Sequence, residues 1–119
     1  MAAPRTPLRV GIAGLGAVGK KIAQSLDDGG IPVMTLTAIA VRDEARAKAS
    51  LSLRATPRFT DTDHLAEHCD IVVECAPGAL LGRIATPVLK AGKTMVVLSA
   101  GALLSNMDLV DIAREHGGT

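Results

Sequence analysis

Three glycines at a fixed spacing form the strongest chemical signal in the chain. Gly14, Gly16 and Gly19 make a Gly-x-Gly-x-x-Gly pattern that follows the apolar run Leu8–Ala13 and opens a helical pattern near Ala17. In such a unit the first glycine permits a tight turn, the second lets a pyrophosphate approach the backbone, and the third lets the helix pack on the sheet. The pattern predicts a dinucleotide site, and a glycine-rich structural turn is the alternative.

The start of the predicted helix supplies groups that would meet an anion. Backbone N–H groups in a first helical turn have no partner within the helix, and the helix dipole places partial positive charge there. These effects predict pyrophosphate contact at five consecutive residues, which are Gly14, Leu15, Gly16, Ala17 and Val18.

The end of the second apolar run bears on the choice of coenzyme. NAD enzymes usually place Asp or Glu there to hold ribose hydroxyls, whereas NADP enzymes offer Arg to the extra phosphate. Here Val41 stands where the acid is expected, and Arg42 follows it. The sequence therefore favours NADP, or use of both NAD and NADP, with Arg42 as the phosphate partner. In the alternative, Arg42 is solvated and Asp43 only caps the next helix.

The elements that would position these residues alternate along the chain. Short apolar runs, most of them rich in Val, Ile and Leu without polar alternation, predict strands covered by helices on both faces. The runs are Leu8–Ala13, Val33–Val41, a weak one near Ala55–Phe59, Ile71–Cys75 and Thr94–Ser99. Roughly ten residues or more separate successive runs, which is enough for parallel crossovers. The predicted fold class is α/β, a doubly wound parallel sheet of the Rossmann type.

The first crossover helix is predicted to begin near Ala17 and to stop at Gly29 and Gly30. Asp43 is placed to cap a second helix. The apolar face of the first helix is expected to be Val18, Ile22 and Leu26.

Three later segments also have helical character. Asp61 or Thr62 would cap a short third helix. The segment Pro77–Leu89 is expected to bend or restart at Pro87, because a proline ring interrupts the helical hydrogen bonds. The last helix is predicted to run from Asn106 to His116.

Length and composition indicate one domain with a packed core, since the chain has 119 residues of which 48% are hydrophobic and 21% charged. Met1–Pro7 are expected to form a flexible tail without a secretory signal, and residues 8–119 the dinucleotide-binding domain. Gly117–Thr119 end the chain where a loop to a sixth strand would begin. We therefore expect a sheet truncated before strand six, with a complete five-stranded domain as the alternative.

The charge balance argues against nucleic acid and membrane partners. The formal charge is only +1, and Phe59 is the sole aromatic residue on which a base could stack. The longest uncharged stretch, Thr94–Met107, is too short to span a bilayer. Cys69 and Cys75 are expected to be reduced, which favours a cytoplasmic location.

Three later stretches carry a family resemblance. They are Ile71–Ala76 (IVVECA), Pro87–Lys93 (PVLKAGK) and Val96–Leu103 (VVLSAGAL). Together with the glycine cluster they resemble the L-aspartate dehydrogenase family over most of residues 8–118. The resemblance implies an NAD(P)-dependent oxidoreductase that interconverts L-aspartate and iminoaspartate.

The same resemblance implies roles for two strand ends. Such enzymes bring residues matching Cys75, Ala76 and Pro77 near the coenzyme ribose, and residues matching Ser99, Ala100 and Gly101 near the nicotinamide ring. The family's substrate domain and its acid–base histidine are expected to lie outside this chain. The catalytic residues are therefore unknown, and the fragment is expected to bind coenzyme without catalysis. The histidines that do not inherit the acid–base role are His64, His68 and His116.

Other functions stay open at this point. Homoserine dehydrogenase and dihydrodipicolinate reductase relatives share the same first half in outline, and a nucleotide-sensing module would bind a dinucleotide without hydride transfer. The full-length enzyme would bind a small-molecule substrate, and assembly as a homodimer is left open.

Two further residue patterns were weighed. The segment His64–His68 spells H-x-x-E-H, a zinc-peptidase pattern, but a short surface crossover offers no third ligand, so solvated histidines and no metal are expected. Glu74 is a charged residue at the end of an apolar strand. It either faces the crevice or reaches solvent, and the sequence does not decide between the two.

Overall fold

A computed structural model describes residues 7–119 of the chain. Within that range the strands are β1 (Leu8–Ala13), β2 (Met34–Ala40), β3 (Arg58–Thr60), β4 (Ile71–Glu74) and β5 (Thr94–Val97). They form one parallel sheet in the order β3-β2-β1-β4-β5. The predicted doubly wound α/β fold is confirmed. Residues 1–6 of the predicted tail Met1–Pro7 lie outside the described residues.

Helices cover both faces of this sheet. They are α1 (Ala17–Asp27), α2 (Glu44–Ser50), α3 (Leu81–Lys90), α4 (Ala100–Leu103) and α5 (Asp108–His116), with 3₁₀ turns at Leu65–His68 and Gly78–Leu80. The predicted start of α1 is confirmed. Asp43 caps α2 as predicted, because its side chain accepts a hydrogen bond of 3.0 Å from the Arg46 N–H. Across residues 7–119 we find no helix with the length and apolar character needed to cross a membrane.

The buried residues form layers on opposite faces of the sheet. Val10 and Ile12 of β1 pack with Ala23 and Leu26 of α1 on one face. On the other face Ala13 lies in a cluster that includes side chains of α3. Because both faces are covered, the strands need no polar alternation. At the outer edge of β5, the Thr119 N–H donates to the Lys93 carbonyl at 3.1 Å.

The prediction of a third helix capped by Asp61 or Thr62 was wrong. The segment forms only the 3₁₀ turn Leu65–His68, and Asp61 instead accepts a hydrogen bond from the His64 N–H at 3.0 Å. Leu65 and Cys69 are fully buried under β1 at Gly11, where a Cβ would lie 2.8 Å from the Cys69 sulfur. The short crossover is drawn tightly against the sheet at this point, which leaves little room for a full α-helix.

The predicted restart of the helix at Pro87 was wrong. The segment begins as the 3₁₀ turn Gly78–Leu80, and α3 then runs without interruption from Leu81 to Lys90. A proline within a helix costs about 3 kcal/mol, but each large apolar side chain buried on a helix returns about 1.5–3 kcal/mol. The large apolar side chains that α3 buries are Leu81, Ile84, Val88 and Leu89, and Ala85 is buried beside them.

The predicted apolar face of α1 needs one correction. Val18 is 56% exposed, whereas Gly19, Ala23 and Leu26 are buried and Ile22 packs against the core as predicted. Gly19 packs closely on the glycine turn, because a Cβ there would collide with the Gly14 carbonyl oxygen. The last helix also differs in its start, since it begins at Asp108, and the short helix α4 before it was not predicted.

Candidate coenzyme-binding site

The carboxyl ends of the four adjacent strands β2, β1, β4 and β5 lie in register at one edge of the sheet. Ala13 pairs with Ala40 on one side and with Glu74 on the other, and Glu74 pairs with Val97. β2 and β3 lie on one side of β1 in the sheet, and β4 and β5 lie on the other side. Such a switch point forms a crevice beyond the strand ends, which is where doubly wound folds bind their ligands.

The glycine turn fills the β1 side of this crevice. Gly14 has a φ of +94°, a conformation that favours glycine, and its N–H donates to the Ala40 carbonyl at 2.9 Å. A Cβ on Gly14 would lie 2.8 Å from the Cys75 carbonyl oxygen. A Cβ on Gly19 would collide with the Gly14 carbonyl oxygen and lie 3.3 Å from the Cys75 Cβ. Both glycines are therefore required by close backbone packing, as their spacing predicted.

Gly16 lies in a different environment from the other two glycines. It precedes α1, is exposed, and has no heavy atom within 4 Å of the position that a Cβ would occupy. The first turn of α1 contains no acidic residue. Ala17 and Val18 are exposed, while Leu15 packs against the core. An open helix N-terminus without a competing carboxylate is suited to bind an anion.

The β4 side of the crevice is formed by Cys75, Ala76 and Pro77. The Cys75 N–H donates to the Ala13 carbonyl at 2.8 Å, which fixes this strand end against the glycine turn. Burial, with a smaller contribution from Glu74, raises the pKa of the Cys75 thiol to about 11. The thiol is therefore protonated at neutral pH, so Cys75 is a small side chain bordering the crevice and not a nucleophile.

Glu74 neither faces the crevice nor reaches solvent, although these were the two options considered from the sequence. Its side chain is fully buried. One carboxyl oxygen accepts from the Ala76 N–H at 3.1 Å and from the Ser99 hydroxyl at 2.8 Å, and the other accepts from the Ser99 N–H at 2.9 Å. Sequence reasoning noticed the charge but missed this partner, which lies 25 residues further along the chain.

Ser99, Ala100 and Gly101 lead from β5 into α4 at the same edge. Ser99 is half-buried through its contacts with Glu74, while Ala100 and Gly101 are exposed. No heavy atom lies within 4 Å of the position that a Cβ on Gly101 would occupy. The structure thus brings both predicted strand-end segments and the glycine turn to a single edge of the sheet.

Arg42 lies two residues beyond the end of β2 and is exposed. Its neighbour Asp43 is engaged as the cap of α2. The strand end therefore presents an arginine, while the adjacent carboxylate is already bonded to a backbone N–H. The role of Arg42 toward a phosphate stays a prediction.

The H-x-x-E-H segment belongs to the crossover between β3 and β4. His64 follows β3, the outermost strand, and its Nδ1 is 2.7 Å from the Asp61 carboxylate, which raises the pKa of His64. Within the described part of the chain, no group of three or more His, Cys, Asp or Glu side chains is arranged to hold a metal ion.

Comparison with known proteins gives consistent matches. A family model described as the NAD-binding domain of homoserine dehydrogenase matches residues 14–119. The L-aspartate dehydrogenase of Bradyrhizobium diazoefficiens is 54% identical over 112 residues, which are 93% of this chain and 39% of that protein. L-aspartate dehydrogenase 3 of Bordetella bronchiseptica is 44% identical over 115 residues, which are 96% of this chain and 42% of that protein.

A solved structure is similar over the same region. It is the biliverdin reductase of Synechocystis in complex with biliverdin and NADP⁺, with 28% identity and a TM-score of 0.74 over 95% of this chain and 36% of that chain. The chain thus spans about two fifths of the length of the curated relatives it matches.

Proposed function

Because this chain belongs to the family of homoserine dehydrogenase NAD-binding domains and is related over most of its length to L-aspartate dehydrogenases, we propose that it forms the coenzyme-binding part of an L-aspartate dehydrogenase. The resemblance inferred from its motifs is confirmed by these relatives. The proposed reaction is the NAD(P)-dependent interconversion of L-aspartate and iminoaspartate, and the proposed partner of the whole protein is this small-molecule substrate.

The observation that carries the proposal is the open turn at Gly16. The turn lies at the N-terminus of α1, beside the crevice between β1 and β4, and nothing in the described chain occupies the space in front of it. A pyrophosphate in this space would accept hydrogen bonds from backbone N–H groups and would be stabilised by the helix dipole. The site residues proposed for it are Gly14, Leu15, Gly16, Ala17 and Val18.

Replacing Gly16 by Ala tests this proposal without disturbing the fold. Gly16 has a φ of −73°, which Ala adopts easily, and its Cβ would meet only open space. We expect the free energy of unfolding to change by no more than about 1 kcal/mol, because Ala restricts the unfolded chain but is a poorer helix N-cap than Gly. The Cβ would block the approach of the pyrophosphate, so the dissociation constant of NADH or NADPH should rise about tenfold or more.

The measurement is a fluorescence titration of NADH and NADPH, which is free of protein background because the chain contains neither Trp nor Tyr. Ser25→Ala is the control, since Ser25 is exposed on the same helix away from the turn. The proposal would be contradicted if the wild-type chain bound neither NADH nor NADPH at millimolar concentration. It would also be contradicted if Gly16→Ala bound them as tightly as the wild type does.

Arg42 is the proposed determinant of coenzyme choice. An exposed guanidinium beyond β2 suits the additional phosphate of NADP, whereas no carboxylate is free there to accept the ribose hydroxyls of NAD, because Asp43 caps α2. We expect Arg42→Ala to weaken NADPH binding and leave NADH binding unchanged. A retained NADPH preference in this variant would show that Arg42 is merely solvated.

A second candidate is the coenzyme domain of a homoserine dehydrogenase relative, which the description of the matching family model favours. The identities of 54% and 44% to L-aspartate dehydrogenases make aspartate the better candidate substrate. Assays of a full-length protein with aspartate and with homoserine would separate the two. We also propose a cytoplasmic location, because both cysteines are free thiols.

A further inference from the structure

Glu74 connects the two loops that border one half of the crevice. It is the last residue of β4 and is fully buried, and its three hydrogen bonds come from Ala76 in its own loop and from Ser99 in the loop after β5. A buried carboxyl group without partners would be strongly destabilising, so these bonds hold both loops in one arrangement.

The connection reaches the glycine turn as well. Gly14 packs against the Cys75 carbonyl oxygen, which lies 2.8 Å from the position of a Gly14 Cβ. On the other side, a Cβ on Gly78 would lie 3.0 Å from the Cβ of Ala102, so the loop after β4 packs closely on α4. Glu74 is thus the polar centre of a continuous set of contacts from the glycine turn to α4.

We propose that Glu74 is a positioning residue, which orients the loops Cys75–Pro77 and Ser99–Gly101 so that they receive the nicotinamide half of the coenzyme. This inference rests on the proposed function. Glu74 itself is fully buried beneath the two loops, so its effect on the coenzyme would be indirect. It acts by fixing the backbone of Ser99 and Ala76, which in turn shape the wall of the crevice.

The arrangement requires a carboxyl group rather than an amide. Both backbone donors, the N–H groups of Ala76 and Ser99, point at different oxygens of Glu74. In Glu74→Gln one of these oxygens becomes an NH₂ group, so one backbone N–H faces another donor whichever way the amide is turned. The variant keeps the size of the side chain and removes the ability to hold both loops together.

Two ligands can separate an effect on the position of the loops from an effect on the fold, because only one of them contains the nicotinamide half of the coenzyme. ADP contains the adenosine and diphosphate portions and lacks the second ribose and the nicotinamide, so it reports on the glycine turn without the loops held by Glu74. NADH reports on the turn and on the loops held by Glu74. We expect Glu74→Gln to raise the dissociation constant of NADH about tenfold, a loss typical of one buried hydrogen bond left unmade, and to leave that of ADP within about twofold.

The experiment measures both ligands by calorimetry on the full 119-residue chain. The matched control is Glu115→Gln, because Glu115 is exposed on α5 and should change neither constant. An equal loss for both ligands, or no loss for NADH, would overturn the positioning role and leave the proposed function standing. Wild-type protein that binds neither ligand would overturn the proposed function and this inference with it.

A second variant covers the case in which Glu74→Gln does not fold. Ser99→Ala removes the hydroxyl bond to Glu74 and leaves both backbone N–H bonds in place. We expect it to weaken NADH binding about threefold with ADP binding unchanged, and Ser99→Thr, which keeps a hydroxyl, to restore binding. Wild-type affinity for NADH in Ser99→Ala would contradict the proposal.

Discussion

Asp70 joins the amino ends of β1 and β4 through a single carboxylate. It accepts hydrogen bonds from the Arg9 N–H at 2.9 Å and from the Arg9 guanidinium at 3.0 Å, and Lys93 lies 3.8 Å away. The hydrogen bonds from Arg9 hold the pKa of Asp70 below its ordinary value of 3.8. A lowered carboxyl pKa means that the native state favours the charged form, so this contribution to stability is present above pH 3.8 and is lost as the pH falls through the native pKa.

We therefore expect Asp70→Asn to lower the free energy of unfolding by about 1 kcal/mol at neutral pH, since the group is partly exposed and screened by solvent. The difference from wild type should shrink toward zero well below pH 3.8, where Asp70 is protonated in both states. Urea unfolding at both pH values measures this, with Asp63→Asn as the exposed control. A difference that persists undiminished in acid would show that the Asp70 charge is not its source.

Spacing along the chain was sufficient to predict the glycines but not Glu74. The roles of Gly14 and Gly19 follow from local geometry, because a strand, a turn and a helix are contiguous in sequence and their backbones must meet. The partner of Glu74 is Ser99, which approaches only after β5 has paired with β4. No local sequence pattern encodes that contact. The sequence therefore shows that Glu74 is an ionisable residue in an apolar strand, but it does not show which groups donate hydrogen bonds to it.

Pro87 is the most informative residue at the scale of the helices. It lies inside α3, where it has no N–H to donate to the Arg83 carbonyl. We expect Pro87→Ala to raise the free energy of unfolding by about 1–2 kcal/mol, because the restored hydrogen bond outweighs the loss of proline's restriction of the unfolded chain.

Thermal and urea unfolding of Pro87→Ala provide the measurement. Pro57→Ala is the control, because Pro57 lies in the loop before β3 and its replacement should give no gain. A neutral or destabilised Pro87→Ala variant would mean that packing of the half-buried ring contributes more than the missing hydrogen bond costs.

Elements were predicted well where burial on both faces imposed a clear pattern. β1 was predicted with its observed bounds, and the other strands are shorter than or offset from their apolar runs by a few residues. The errors fall where tertiary contacts override local preference. The crossover after β3 is compressed to a 3₁₀ turn by packing under Gly11, and α3 continues through Pro87 because it is buried along its length. Helix propensity alone predicts neither the 3₁₀ turn after β3 nor the continuation of α3 through Pro87.

At the scale of the whole molecule, none of the three histidines belongs to the segments that border the crevice. His68 precedes β4, and the carbonyl oxygen of His116 is 3.0 Å from the Cβ position of Gly92, just before β5, so both lie toward the opposite edge of the sheet. His64 is paired with Asp61 beside the outermost strand. The crevice therefore has no described histidine to exchange a proton with a substrate.

This distribution leads to an expectation for the 119-residue chain as a whole. The groups that would hold a coenzyme are present at one edge of the sheet, but neither Glu74 nor Cys75, which lie beside them, is free for acid–base chemistry. Glu74 is covered by its three hydrogen-bond donors, and the Cys75 thiol, with its pKa of about 11, stays protonated at neutral pH. General acid–base catalysis needs a group within hydrogen-bond reach of the proton that moves and with a pKa near the working pH.

We accordingly expect the chain to bind NADH or NADPH and to show no aspartate-dependent reduction of NAD⁺ or NADP⁺. Absorbance of the reduced nicotinamide measures the reaction, and NADH fluorescence in the same preparation verifies that the coenzyme binds. Gly16→Ala should shift the fluorescence change to about tenfold higher coenzyme concentration or beyond, and a full-length L-aspartate dehydrogenase in the same assay should produce reduced coenzyme. Turnover of aspartate by the chain itself would place an acid–base group at this edge that the geometry of Glu74, Cys75 and the three histidines does not provide.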